Sequence, residues 1–385
     1  MGKMPMLRPE TVMAEEMTPQ KSSPEANPSG VLKLEFGKDT GFQAELRRRV
    51  DELFQQTGRP KHGGWRMYLK TAIILAFFAA SYVLLVFVAH TAWLGLPLAV
   101  VLGLSTAMIG FCIQHDGGHQ AYSERRWVNR MTAMSLDVIG GSSYVWHWKH
   151  SIIHHMYVNI TGYDSDIDLH GLARLSPHFP RRWYYRWQKF YIWPFYGLET
   201  IKLQLLDDFR YVITGLLGRH RIPRPRGWEL VLFIVGKVIF FSLMLAIPLL
   251  FHSIWIVLFY YAVVSVVLGT VMSLVFLMPH CAGDADFPLP RGDTGRIENP
   301  WAVHQAQVTL DFARRNCVLT YLLGGLNYHK EHHLFPLICH VNYPAISKVV
   351  EETCRDFGIR YKEHKSFQAG LVSHYRWLRE MGQAQ

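Results

Sequence analysis

The sequence predicts an all-α membrane protein with four transmembrane helices in two hairpins and a helical cytosolic cap. Its apolar runs carry the first part of that expectation. Thr71 to Ala89, Ala92 to Ile113 and Ser253 to Pro279 contain no charged residue, and Leu230 to Phe251 contains only Lys237. About 20 residues rising ~1.5 Å each cross a ~30 Å hydrocarbon core, so every run is long enough to span. The runs pair off, since only His90 and Thr91 separate the first two and only His252 the second two. Basic residues supply the second observation. Arg47, Arg48, Arg49, Lys61, Arg66 and Lys70 precede the first run, Arg125, Arg126, Arg130 and Lys149 follow the second, and Arg291, Arg296, Arg314 and Arg315 follow the fourth. The short turns carry none, which places both termini and the middle segment on the cytosolic side.

The elements follow in chain order. Residues 1–30 read as a disordered tail whose charges, Ser and Pro, with no apolar core, argue against a cleavable signal peptide. Residues 31–70 hold an interfacial amphipathic helix and a linker, with Phe42, Leu46, Val50, Leu53 and Phe54 on one face at helical period. Hairpin 1 takes residues 71–113, and a polar, mostly helical cytosolic segment takes 114–229. Within that segment, Trp183, Tyr184, Tyr185, Trp187, Phe190, Tyr191, Trp193, Phe195 and Tyr196 lie among Arg181, Arg182, Arg186 and Lys189. Amphipathic rings and basic heads suit the lipid headgroup level. Arg221-Ile-Pro-Arg-Pro-Arg-Gly227 breaks the chain before hairpin 2, residues 230–279. A second polar segment, 280–385, completes the cap.

The net charge of +10 fits a basic surface beside an anionic leaflet, and no nucleic-acid motif accompanies it. The five cysteines have no Cys-x-x-Cys spacing and read as structural thiols in a reducing compartment.

Three histidine clusters carry the chemistry: His115-Asp-Gly-Gly-His119, His150-Ser-Ile-Ile-His154-His155 and His329-Lys-Glu-His332-His333. Residues three or four apart share a helix face, so each cluster aims two or three nitrogens at one point. Imidazole is the commonest metal-ligating side chain. Eight of them exceed the need of one ion and suit two, so the cap is expected to carry a di-metal site. Closed tetrahedral zinc sites use four ligands, often Cys, and His-Glu-x-x-His is absent. Imidazole suits iron, and an iron pair can activate O2. A shell almost entirely of neutral imidazole leaves such irons electrophilic enough for an unactivated methylene. His280, closing the fourth run as Met-Pro-His, is the expected ninth ligand, and His304 is a weaker candidate. Asp116, Asp164, Asp166, Asp168, Asp311 and Glu331 are candidates to hold the other ring nitrogens. His147, His170, His178, His340, His364 and His374 are assigned as non-ligands. A bis-histidine haem cytochrome would need histidines inside facing spans, where there are none. A transporter would need paired intramembrane charges, and the spans offer only Lys237.

On these residues the chain resembles the membrane-bound fatty acid desaturases, over roughly Leu32 to the C-terminal region. Trp148-Lys149-His150, Glu298-Asn-Pro-Trp-Ala-Val-His-Gln305 and Asn327-Tyr-His-Lys-Glu-His-His-Leu-Phe-Pro336 add to the three boxes. The pattern is nearest to the branch that includes front-end and linoleoyl-CoA desaturases. The resemblance implies two Fe ions held by His115, His119, His150, His154, His155, His329, His332 and His333, with family precedent for His280. It also implies O2 as co-substrate, a long acyl chain on CoA, a carrier protein or a lipid, and formation of a C=C bond. Hydroxylases, ketolases and acetylenases use the same centre and remain alternatives. Two departures stand out. His150 is separated from the His154-His155 pair by three residues where many relatives have two, and the third box opens with His329 where front-end relatives commonly carry Gln. His62-Gly-Gly is only a partial echo of the fused-haem signature, so electrons are expected from a separate donor such as ferredoxin or cytochrome b5.

Overall fold

The computed structural model describes residues 34–292 and 295–383, so the expected tail at 1–30 lies outside the described residues. Helix α1 (Phe42–Thr57) buries Phe42, Leu46, Val50 and Phe54. They pack against Tyr343, Ile346, Val350 and Cys354 from the C-terminal part of the chain. The apolar stripe expected at the membrane surface is therefore covered by protein. Local periodicity specifies the stripe but not its partner, which lies some three hundred residues away in sequence.

Among the described residues, four helices are long and apolar enough to cross a membrane: α2 (Gly64–Phe87), α3 (Ala92–Gly118), α8 (Trp228–Leu249) and α9 (Ile254–Leu277). Between the hairpins come α4 (Arg126–Ala133) and α5, which begins at Ser143–Trp146 and runs on through His147–His154 to His155–Tyr157. Helix α6 (Gln188–Lys202) and α7 (Asp208–Thr214) follow, with a short antiparallel pair, Leu216–Leu217 with His220–Arg221. After α9 the chain forms α10 (Trp301–Val308), α11 (His329–Leu334), α12 (Tyr343–Asp356) and α13 (Phe367–Gly382). A parallel pair, Asp311–Phe312 with Glu363–His364, ties the segment before α11 to the segment before α13. The expected all-helical architecture holds, with these two-residue strands as minor additions.

The hairpin turns are locked together where His252 Nε2–H donates to the Val86 carbonyl at 2.7 Å. Lys237, the lone charge in the apolar runs, is buried inside the protein. Its ammonium lies 2.8 Å from Asp208 and also donates to the Gly140 and Gln204 carbonyls, pinning α8 to the cap. Helix α6 lies against α9 at a close backbone approach: a Cβ on Gly269 would stand 2.5 Å from the Gly197 carbonyl oxygen. Small residues permit such contact between helices in an apolar setting. Of the aromatic stretch, Trp183, Trp187 and Phe190 are exposed, while Tyr185 and Tyr196 are buried. The largest apolar cluster among the described residues joins span residues Met67, Ile74, Phe111 and Val275 to Leu326, three residues before His329.

Candidate metal centre

Two departures from α-helical geometry set the histidines in place. The second span widens into a π-helical turn over Ile109–Gln114 immediately before His115. A second π-helical stretch covers His147–His154, and the His155 N–H donates to the His150 carbonyl, five residues back. Such turns are frequent at functional sites, and the wider repeat brings residues four and five apart to one side. The three-residue spacing in this box is thereby absorbed: His150, His154 and His155 all reach the centre. Their Nε2 atoms show it, with His150 and His155 3.3 Å apart.

All nine expected ligands converge. His115, His119, His150 and His332 offer ring nitrogens that lie within 4.8 Å of one another, as do those of His154, His280 and His333. His155 groups with His332 and His333, between the two foci. His329 joins the second focus, its Nε2 2.9 Å from His280 Nε2. Every one of the nine is buried.

Supporting bonds fix which nitrogen faces inward. The Nδ1–H of His154 donates to Asp164 at 3.1 Å, that of His329 to the Leu326 carbonyl at 3.1 Å, and that of His333 to Gln305 Oε1 at 3.1 Å. His332 Nδ1 sits 3.3 Å from the Tyr343 hydroxyl. Partners of this kind orient a ring and raise the basicity of its free nitrogen. The inward atoms His115 Nε2, His332 Nε2 and His333 Nε2 are buried with no hydrogen-bond partner among the described residues, and so are both nitrogens of His119. Buried polar atoms are ordinarily satisfied, and an unsatisfied set aimed at one place calls for an ion. The donor set fits a metal pair.

The electrostatics agree. Burial holds the imidazoles of His119, His150, His155, His280, His329, His332 and His333 well below their usual range, and neighbouring histidines push mostly the same way. They are neutral, the form that ligates. His154 is the exception. Burial opposes its charge, but the Asp164 and Asp166 carboxylates together raise it.

The remaining candidates divide between the ligand rings and the surrounding protein. Asp164 meets His154, and Asp166 lies 3.6 Å from the same ring and 3.8 Å from His150. Asp116 turns instead to His340, 2.8 Å from Nδ1, and accepts from Cys339. Asp311 accepts the Lys330 N–H, and the Tyr361 hydroxyl contacts both Asp311 and Glu331. Asp168 is partnered by exposed His170. None of these four contacts a converging ring; Asp116 and Glu331 sit on ligand helices but on faces turned into the surrounding protein. His304 directs Nε2 at the Val158 carbonyl, 3.0 Å away.

Sequence reasoning missed Gln305, Tyr343 and Asn159. Asn159 adopts φ of +57°. Its backbone N–H donates to Asp164, and its side-chain amide donates to the His280 carbonyl at 2.9 Å. It thus links box 2 to the end of the fourth span. No local pattern marks it, since the partners of its side-chain amide come from distant segments.

A cavity of about 240 Å³ opens onto the centre, bordered by His150, His154, His280, Trp146, Met272 and Phe276. An apolar passage ending at convergent imidazoles can present a hydrocarbon to an oxidising centre.

Comparison with known proteins gives the family. The fatty acid desaturase family model matches residues 91–365. A protein named sn-1 linoleoyl-lipid 6-desaturase from Arthrospira platensis is 36% identical over 354 residues, covering 92% of this chain and 96% of the relative. Its namesake from Synechocystis is 34% identical, covering 91% and 98%. An acyl-lipid (8-3)-desaturase from Physcomitrium patens is 33% identical, covering 91% and 74%. With four apolar helices, buried histidine clusters and this similarity along most of its length, the chain belongs to the fatty acid desaturase family and is an oxidoreductase of lipid metabolism.

Proposed function

We propose that this protein is an O2-dependent di-iron desaturase acting on a long acyl chain carried by a membrane lipid. The observation that carries the reading is the set of unpartnered, buried imidazole nitrogens converging on two foci beside an apolar cavity. His115, His119, His150, His155 and His332 would hold one iron, and His154, His280, His329 and His333 the other. Iron bound there supplies the oxidising power drawn from O2. The balance is one acyl CH2–CH2 plus O2, two electrons and two protons, giving CH=CH and two waters.

The chain's own residues do the rest. Asp164, Gln305, Tyr343 and the Leu326 carbonyl hold four rings with their free nitrogens inward. Phe276 and Met272 keep the passage apolar, so a methylene meets the centre with little competing water. The lipid carrier is inferred from the names of the relatives, which specify linoleoyl-lipid and acyl-lipid substrates. Electrons come from a separate donor such as ferredoxin or cytochrome b5. The distribution of Lys and Arg supports both termini and the centre on the cytosolic side.

Expression in a host lacking polyunsaturated lipids, followed by double-bond mapping, tests this. New alkenes support desaturation, whereas alcohols or ketones would assign the same centre to hydroxylation or ketolation. Purified protein holding well under two irons per chain would remove the di-iron reading.

A further inference from the structure

The cavity at the histidines continues away from them. A second cavity of about 120 Å³ lies among the spans, bordered by Leu85, Leu102, Phe240, Val257 and Val264. Thr106, Ile139, Gln204 and Leu268 line both. Along α9 the combined lining runs from Ile256 to Leu277. That is roughly 30 Å at ~1.5 Å per residue, close to the thickness of a hydrocarbon core.

Polarity gives the passage a direction. Lys149, Asp166, Glu199 and Asp208 border the first cavity, and no Asp, Glu, Lys or Arg among the described residues borders the second. Several polar groups around the second are directed at protein. The Tyr82 hydroxyl donates to the Leu243 carbonyl at 2.8 Å, Thr106 to Leu102 at 2.7 Å, and His252 to Val86 at 2.7 Å. A void of this size with apolar walls stays dry and accepts hydrocarbon. At the junction, the Tyr261 hydroxyl donates to Gln204 Oε1 at 3.0 Å, and Gln204 Nε2 donates to the Ile139 carbonyl at 2.9 Å. This bridge stands between the two chambers.

We propose that the second cavity receives the methyl-terminal part of the acyl chain, and that the Gln204–Tyr261 bridge is the partition governing how far a chain extends past the histidines. The proposal rests on the desaturase reading of the histidine site and adds to it the orientation and length selection of the substrate. The ester end lies with the charged residues of the first cavity, and the hydrocarbon end enters the bundle.

The test supplies acyl chains of graded length to the full-length enzyme in membranes. Val264→Phe fills the second cavity and should lower product from the longest chains, relative to the shortest, about tenfold or more, the scale expected for misfit in an apolar pocket. Tyr261→Phe removes the bridge and should widen the accepted range of lengths. A length profile unchanged in both variants overturns the proposal. A wild-type enzyme that desaturates no chain overturns the desaturase reading instead. An acyl-lipid with a photoreactive group at its methyl end gives a readout independent of turnover and of variant folding. Labelling of residues 82–86 and 257–264 that excess unlabelled acyl-lipid suppresses supports the proposal. Labelling confined to residues 169–195, or labelling that competitor does not reduce, refutes it.

Discussion

His150 and His155 stand five residues apart, yet their Nε2 atoms lie 3.3 Å from each other because the intervening turn is π-helical. Spacing and turn type are therefore matched. Inserting one alanine after Ile152 would carry His154 and His155 about 100° further round the helix relative to His150. Bound iron should fall below half of the wild-type content and desaturation should drop more than about a hundredfold. Iron assay of purified protein checks the first and fatty acid analysis the second. Full iron occupancy in the insertion variant would detach the spacing of this box from metal binding.

The Asp164 carboxylate holds the His154 ring through Nδ1. Asp164→Asn keeps the shape and removes the charge. Loss of such a partner typically weakens metal binding about 10–100-fold. Competition with a graded chelator should show iron leaving the variant at correspondingly lower chelator concentration, while Asp168→Asn, whose carboxylate meets His170 and no converging ring, should match wild type.

Lys237 and Asp208 form a buried ion pair at 2.8 Å. Burial lifts the Asp208 carboxyl to about 6, even with Lys237 beside it. Lys237→Met leaves that carboxylate and the Gly140 and Gln204 carbonyls without their donor, at a cost of about 3–5 kcal/mol. Adding Asp208→Asn should recover much of the loss. Thermal inactivation of the two single variants and the double variant in detergent measures this coupling, and strict additivity would argue against it.

His374 is neutral and fully engaged, donating from Nδ1 to the Cys281 carbonyl at 2.7 Å and accepting at Nε2 from the Tyr196 hydroxyl at 2.8 Å. Burial depresses its pKa to about 4, against about 6.5 for an unfolded chain. Between those values the unfolded state binds a proton that the folded state does not. The stabilisation is thus complete above pH ~6.5 and is lost as pH falls toward 4, by up to about 3 kcal/mol. His374→Gln should flatten the pH dependence of the inactivation temperature across that window. An unaltered slope would assign it to other groups.

Much of this protein was legible in one dimension. The four spans follow from uninterrupted apolar runs, because only a helix satisfies its own backbone across a hydrocarbon layer. The histidines declared themselves by type and spacing, including His280, whose place at the end of a span puts it level with His115. Other features needed the folded chain. The π turns are not announced by the residue pattern, and the supports Gln305, Tyr343 and Asn159, with the diversion of Asp116 to His340, arise where separate elements pack together. The fate of α1 is of the same kind: its apolar stripe is visible locally, but α12 rather than lipid covers it. Hydropathy and ligand chemistry are properties of a residue and its near neighbours, so the sequence determined the membrane spans and the imidazole set. Which groups orient those imidazoles, and where a hydrocarbon fits beside them, depends on surfaces that meet only when distant segments pack, and that was decided by the tertiary structure alone.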